Sequence, residues 1–289
     1  MGEKNLECRL HVGEVCFRLV FTSPSQARFF NKYYQGFISN QEPDITIHVK
    51  VIGKGESTSL PNSIIMSKTV EGDSFNFHSG LITGTLDRES RTCKIEVKEA
   101  LFKRIRIFEH FLFQTYYTLI AQNPAGEENF LAHSCSVQRE GAGYLFSGPP
   151  ESGKSTIAGI SAPLATVLGD EIAIVKKEDS RYFVGATPFR GDFRESVNMQ
   201  APLKAVFLIV HGKENEIRKI SKIEFVTRFV REVIYPGTLL STERKEDFTR
   251  MIQFCTDISE NVPFYELRFL PDQRFWSEID NLNLKNMEE

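Results

Sequence analysis

Hydrophobic and polar positions alternate through much of the first hundred residues, and a period of two is typical of β-strands with one buried face. Segments rich in Gly, Ser, Asn and Asp separate these runs, as expected of loops. One stretch has a helical period instead, because Ser23-Pro24 is a helix start signal and Ala27, Phe30 and further apolar residues then share one face. We therefore predict a β-rich domain over residues 1–98 that contains one helix. The predicted strands cover residues 8–21, 44–52, 81–87 and 92–97.

From Glu99 the period changes to that of a helix, with apolar residues recurring between Leu101 and Leu119. This helix is too apolar to stand alone in water, so we expect it to open a second domain over residues 99–289. Short apolar runs and amphipathic stretches then alternate, which predicts an α/β (α+β) fold with a mixed sheet. The predicted strands are 130–138, 143–147, 165–168, 172–175, 205–210 and 264–270. Helices are predicted from residue 156, over about 221–234 and 243–261, and after residue 270.

The bulk properties are those of an ordinary globular protein of 289 residues, 41% hydrophobic and 25% charged. A net charge of −3 provides no electrostatic footprint for nucleic acid or an anionic membrane, so we predict neither as a partner. Five scattered cysteines without a C-x-x-C pair indicate reduced thiols. The first residues lack the apolar core of a signal peptide, and the apolar run at 205–210 is too short to span a bilayer. We expect a cytoplasmic protein.

The segment Gly148-Pro149-Pro150-Glu151-Ser152-Gly153-Lys154-Ser155 matches the phosphate-binding pattern G-x-x-x-x-G-K-[ST]. Its glycines permit the turn that points backbone N–H groups at phosphate oxygens. Lys154 would then pair with the β and γ phosphates, and the Ser155 hydroxyl would ligate Mg²⁺. A strand-like run precedes the segment and a helical run begins at Thr156, as the pattern requires. The sequence thus predicts that residues 148–156 bind a nucleoside triphosphate, with ATP and Mg²⁺ as cofactors.

Two adjacent carboxylates, Asp170 and Glu171, follow a short apolar strand downstream of this segment. Near a phosphate site, one acid can hold Mg²⁺ while the other accepts the proton of an attacking hydroxyl. We favour this interpretation over a solvated turn, and either acid could take either role.

Three further side chains are candidates with a structural alternative. His133 lies in an apolar strand, where histidine is more often a hydrogen-bonded core residue than a catalyst. Arg190 and Arg194 lie in a loop-like stretch from which a guanidinium could reach a phosphate, or merely solvent.

Together these residues resemble the HPr serine kinase/phosphorylase family, whose C-terminal domain is similar to that of phosphoenolpyruvate carboxykinase. The resemblance covers about residues 125–275. It rests on the strand with His133, the segment from Gly148 to Ser155, the pair Asp170-Glu171, and two later segments at 185–207 and 262–269.

The resemblance implies ATP-dependent phosphorylation of a serine-type hydroxyl on a protein, peptide or small molecule. It implies that Lys154 and Ser155 contact the phosphates and metal, that Asp170 or Glu171 is the base, and that His133 lies near the transferring phosphate. Members that act on HPr carry an Asp-Asp pair where this chain has Asp170-Glu171, so we do not predict HPr as the acceptor. Relatives often form homo-oligomers, which makes self-association an expectation. Two alternatives stay open: a nucleotide-binding regulatory module without phosphoryl transfer, and a carboxykinase-like enzyme.

Overall fold

The computed structural model describes residues 6–53, 67–71, 74–120, 129–193, 197–234 and 245–282. The chain divides into two compact units, and the division falls between residues 120 and 129 of the described chain. Within the described part of the first unit the strands are β1 (Glu7–Val12), β2 (Val15–Phe21), β3 (Ile45–Val51), β4 (Ser67–Glu71), β5 (Ser74–His78), β6 (Ile82–Asp87) and β7 (Thr92–Val97).

These strands form one mixed sheet in the order β1-β2-β3-β7-β6-β5-β4. The central strand β3 is parallel to both of its neighbours, whereas the remaining pairs are antiparallel. The run at residues 8–21, predicted as one strand, is a hairpin, because Gly13 adopts a φ of 55° that suits glycine and turns the chain. The hairpin of β4 and β5 was not predicted.

Two α-helices, α1 (Pro24–Tyr33) and α2 (Ile105–Ile120), belong to the first unit. The predicted start of α1 is confirmed, because the Ser23 side chain caps the helix by accepting from the Ser25 amide. The sequence led us to expect α2 in the second domain, but the structure places it in the first unit. Its buried ring of Phe108 lies 4.7 Å from that of Phe30, which shows where its apolar surface is covered.

A second mixed sheet forms the centre of the second unit, which confirms the mixed-sheet prediction. Strands β9 and β16 run parallel to β13, while the pairs that β8 makes are antiparallel. Strands β12, β14 and β15 were not predicted, and β15 lies at the end of the segment predicted as a helix over about residues 221–234. The strands are β8 (Asn129–Arg139), β9 (Ala142–Ser147), β10 (Thr166–Gly169), β11 (Ile172–Glu178), β12 (Arg181–Gly185), β13 (Gln200–His211), β14 (Glu216–Arg218), β15 (Val233–Ile234) and β16 (Phe264–Phe269).

Helices α3 (Lys154–Ser161), α4 (Lys222–Phe229), α5 (Lys245–Asn261) and α6 (Arg274–Asp280) complete the described part of the second unit. Helix α3 is anchored where its last turn meets α6, because the Trp276 Nε1–H group donates to the Ser161 hydroxyl at 3.1 Å. The apolar face of α3 is buried against β8, β9 and β13 in the core of this unit. The anchored helix therefore holds a fixed N-terminus at the end of β9.

No helix among the residues that the structure describes is both long enough and apolar enough to cross a membrane.

Candidate functional site

The segment 148–153 connects β9 to α3, so the predicted order of strand, loop and helix is present. Two of its residues adopt left-handed backbone conformations, Glu151 with a φ of 65° and Gly153 with a φ of 107°. A Cβ atom at Gly148 would lie 2.8 Å from the Ser152 Oγ, and one at Gly153 would lie 3.1 Å from the Phe269 ring. The turn as built therefore requires glycine at both motif positions.

Lys154 lies at the first position of α3 with its ammonium turned back into the loop. Its Nζ donates to the carbonyl oxygens of Gly148 at 2.7 Å and Pro149 at 2.9 Å. Burial lowers the pKa of Lys154, and the negative charges of Glu232 and Glu171 oppose that change. The loop thus concentrates one positive charge at the helix N-terminus, where the helix dipole also favours anions.

The Ser152 hydroxyl is a further polar group directed into the loop, close to Gly148. It is buried and has no hydrogen-bond partner in the structure. An unsatisfied buried hydroxyl costs about 1–3 kcal/mol, a cost that a phosphate oxygen accepting its proton would remove. This orphaned donor fits a bound phosphate chain. The neighbours Pro149, Pro150, Glu151 and Thr156 are exposed, and Ser155 is half-buried.

Asp170 follows β10 and is 1% exposed. Its Oδ1 accepts the Gly191 amide at 2.9 Å, and its Oδ2 accepts the amides of Asp192 at 2.9 Å and Phe193 at 3.0 Å. The carboxylate therefore compensates its burial with three charge-assisted hydrogen bonds from one loop.

His133 lies between two carboxylates. Its Nε2 is 3.1 Å from the Glu171 Oε1, and its Nδ1 is 3.7 Å from the Glu232 Oε2. The Glu171 carboxylate, followed by that of Glu232, raises the pKa of His133 to about 9, while burial and the charge of Lys154 act in the opposite direction. The imidazole is therefore protonated at neutral pH. Its Nε2–H group donates to Glu171, and Nδ1 forms a longer ion pair with Glu232.

Among the residues that the structure describes, no three His, Cys, Asp or Glu side chains converge to hold a metal ion. A protein-only metal cage is thus absent from this part of the chain. Ser155 and Glu171 are the predicted ligands that keep access to solvent, because Ser155 is half-buried and the Glu171 side chain is 44% exposed. Phosphate-bound Mg²⁺ needs only one or two protein ligands, and the hydroxyl and carboxylate oxygens of these two residues are of the type that it binds.

The predicted site residues come together around Lys154. Its pKa responds to the charges of Glu171 and Asp170, and that of His133 responds to Lys154. Arg190 directly precedes the three amides that Asp170 holds, whereas Arg194 lies outside the described residues.

Sequence reasoning missed Glu232 and the amides of residues 191–193. Glu232 falls within the helix predicted over about residues 221–234, but α4 ends at Phe229 and the following turn places Glu232 beside His133. A backbone amide cannot be recognised from the side chain of its residue. The one related feature in the sequence is the glycine at 191, which allows the close approach to Asp170.

The fold and the site define a mixed α/β protein of two units, the second of which carries a strand–loop–helix site with a buried lysine. Residues 93–285 match the family model described as "SynChlorMet cassette protein ScmC", which is more than half of the chain. The protein therefore belongs to the ScmC family.

A solved structure, "Structure of the Hpr(Ser) kinase/phosphatase from Coxiella burnetii", is 12% identical to this chain. The match covers 53% of this chain and 87% of that one, with a TM-score of 0.29. A similarity of this size supports no argument about fold or activity. No curated protein matches the chain.

Proposed function

We propose that the second unit binds a nucleoside triphosphate with Mg²⁺ and transfers the γ-phosphoryl group to a serine-type hydroxyl of a protein, peptide or small molecule. The observation that carries this proposal is the buried ammonium of Lys154, which the loop holds through the carbonyl oxygens of Gly148 and Pro149. A structural turn does not need a buried charge, and burying one is costly unless a partner compensates it.

In the proposed reaction, Lys154 and the amides of the loop hold the β and γ phosphates, and Ser155 ligates the metal. The acceptor oxygen forms a bond to the γ phosphorus as the bond to the bridging oxygen breaks, so ADP is the leaving group. The proton of the acceptor hydroxyl passes to a carboxylate of the pair Asp170-Glu171. Protonated His133 forms an ion pair with Glu171 and so adds a positive charge next to the Glu171 carboxylate.

The first test is the thermal unfolding midpoint of the wild type and of Lys154→Ala during a titration with Mg·ATP. A ligand that binds only the folded state must raise the midpoint, by about 2.7 kcal/mol of stability at 100 times Kd. The matched control is Lys219→Ala, which removes an exposed lysine from the same unit. A saturable rise in the wild type and control but not in Lys154→Ala supports the site, and no rise in any of them contradicts it.

The second candidate is a nucleotide-dependent regulatory module that transfers no phosphate. The engagement of Asp170 by three amides favours it, because one acid of the pair is already committed to the protein. Label from [γ-³²P]ATP distinguishes the two candidates. Transfer to an acceptor in cell extract, lost in Lys154→Ala, supports the kinase. Saturable binding without any transfer supports the module.

A further inference from the structure

The adjacent acids Asp170 and Glu171 occupy opposite environments. Asp170 is 1% exposed and both of its oxygens accept backbone amides, whereas the Glu171 side chain is 44% exposed and contacts His133. A carboxylate has about four lone-pair directions, of which Asp170 uses three. Metal ligation or proton transfer by Asp170 would have to break or share these bonds.

The bonds of Asp170 hold one end of a loop that is also fixed at its other end. The Thr187 hydroxyl donates to the Ile172 carbonyl at 2.7 Å and accepts the Phe189 amide at 3.3 Å. At the Asp170 end the approach is so close that a Cβ atom at Gly191 would lie 2.5 Å from the Asp170 Oδ2. The segment 187–193 is therefore attached at both ends to the start of β11.

We propose that Asp170 is a positioning residue, which fixes segment 187–193 through its three amide bonds and leaves Glu171 as the carboxylate that meets metal or acceptor. The part that concerns Glu171 rests on the proposed function. The part that concerns Asp170 does not, because the amide bonds are present without nucleotide. Arg190 lies between the two attachment points of this segment.

The test is amide hydrogen exchange, which is monitored by NMR on the full chain without nucleotide. Asp170→Asn replaces an acceptor oxygen with an N–H donor and removes the charge, so exchange at residues 191–193 should rise about ten- to hundredfold. Glu171→Gln and the matched control Asp179→Asn should leave these amides unchanged. Asp179 is exposed at a left-handed turn position that asparagine tolerates. Unchanged exchange in Asp170→Asn would overturn the proposal.

A second variant separates positioning from direct chemistry. Thr187→Val removes the other attachment of the loop and does not touch Asp170. If Asp170 acts through the loop, Asp170→Asn and Thr187→Val both lower kcat and leave the KM for nucleotide nearly unchanged. The midpoint of the pH dependence of kcat also stays at its wild-type value. If Thr187→Val stays fully active while Asp170→Asn loses all turnover, Asp170 acts directly and the proposal is wrong. Should the wild type bind no nucleotide, the exchange result still decides the role of Asp170, and only the Glu171 part fails.

Discussion

The two units differ in how many charged side chains they bury. Among the described residues, the first unit buries Glu109, whose carboxylate accepts from the Tyr33 hydroxyl, whereas the second buries Lys154, Asp170, Lys176 and Glu266. In the first unit, the buried hydroxyls of Thr115 and Thr118 donate to carbonyl oxygens four residues earlier in the same helix. In the second unit, Asp170 accepts from amides more than twenty residues away and the Ser134 hydroxyl donates to that of Ser147 on the next strand. A hydrogen bond within one helix satisfies a buried hydroxyl without joining that helix to another element. A hydrogen bond between segments distant in sequence instead holds two elements against each other.

The larger number of buried charges supports the proposed site in the second unit. Burying an ion costs free energy that a fold recovers only through well-placed partners. Lys154 and Asp170 are both buried and both have such partners.

The largest expected effect is at Gly153. Gly153→Ala places a side chain at a φ of 107° and 3.1 Å from the Phe269 ring, so the loop must move. We expect Mg·ATP no longer to stabilise this variant. Left-handed strain alone costs about 1–2 kcal/mol, and we expect the free energy of unfolding to fall by more than that. Thermal unfolding with and without Mg·ATP measures both effects.

The matched control is Gly53→Ala in the first unit, where φ is 68° and nothing lies within 4 Å of the added Cβ. It should cost only the strain, and the response to Mg·ATP should remain. If Mg·ATP stabilises Gly153→Ala as much as the wild type, the loop does not bind phosphate. The proposed site would then no longer distinguish the second unit from the first.

A smaller effect is expected from Glu232, through the titration of His133. The pKa of His133 is raised to about 9 in the folded protein from the ordinary histidine value of 6.5. The stability from its ion pairs is therefore fully present below about pH 6.5 and is lost as the pH rises through about 9. Glu232→Gln should lower the pKa of His133 and move that loss to lower pH.

The measurement is the ¹³Cε1 chemical shift of His133, assigned by the signal that disappears in His133→Gln. Glu214→Gln, which changes an exposed glutamate of the same unit, is the control and should not move the midpoint. A midpoint near 6.5 in the wild type would contradict the ion pairs, and the site would then lack its second positive charge.

The sequence was informative where one pattern determined one structure. Glycines at 148 and 153 imply a turn whose geometry only glycine allows, and the turn is present. The apolar face of α1 was equally clear, because a start signal and a helical period agreed.

Contacts between distant segments could not be predicted in the same way. Nothing in the residues around Asp170 specifies that amides 191–193 surround it, and nothing in α2 specifies which unit covers its apolar rings. The sequence predicted that Asp170 and Glu171 act as a pair, but burial separates them. These contacts depend on tertiary packing, and the pattern of residues around a single position does not reveal it.

The smallest expected effect concerns the exposed face of the first sheet. Lys50 and Glu96 are cross-strand neighbours on β3 and β7, with Nζ and Oε1 2.9 Å apart and side chains 65% and 49% exposed. Water and salt screen such a pair, so Glu96→Gln should change the free energy of unfolding by less than about 1 kcal/mol. Thermal unfolding at low salt and at 1 M salt measures it, and the small difference should vanish at high salt. A large, salt-insensitive loss would show that the first unit also constrains charge, and would direct the search for a second site to that face.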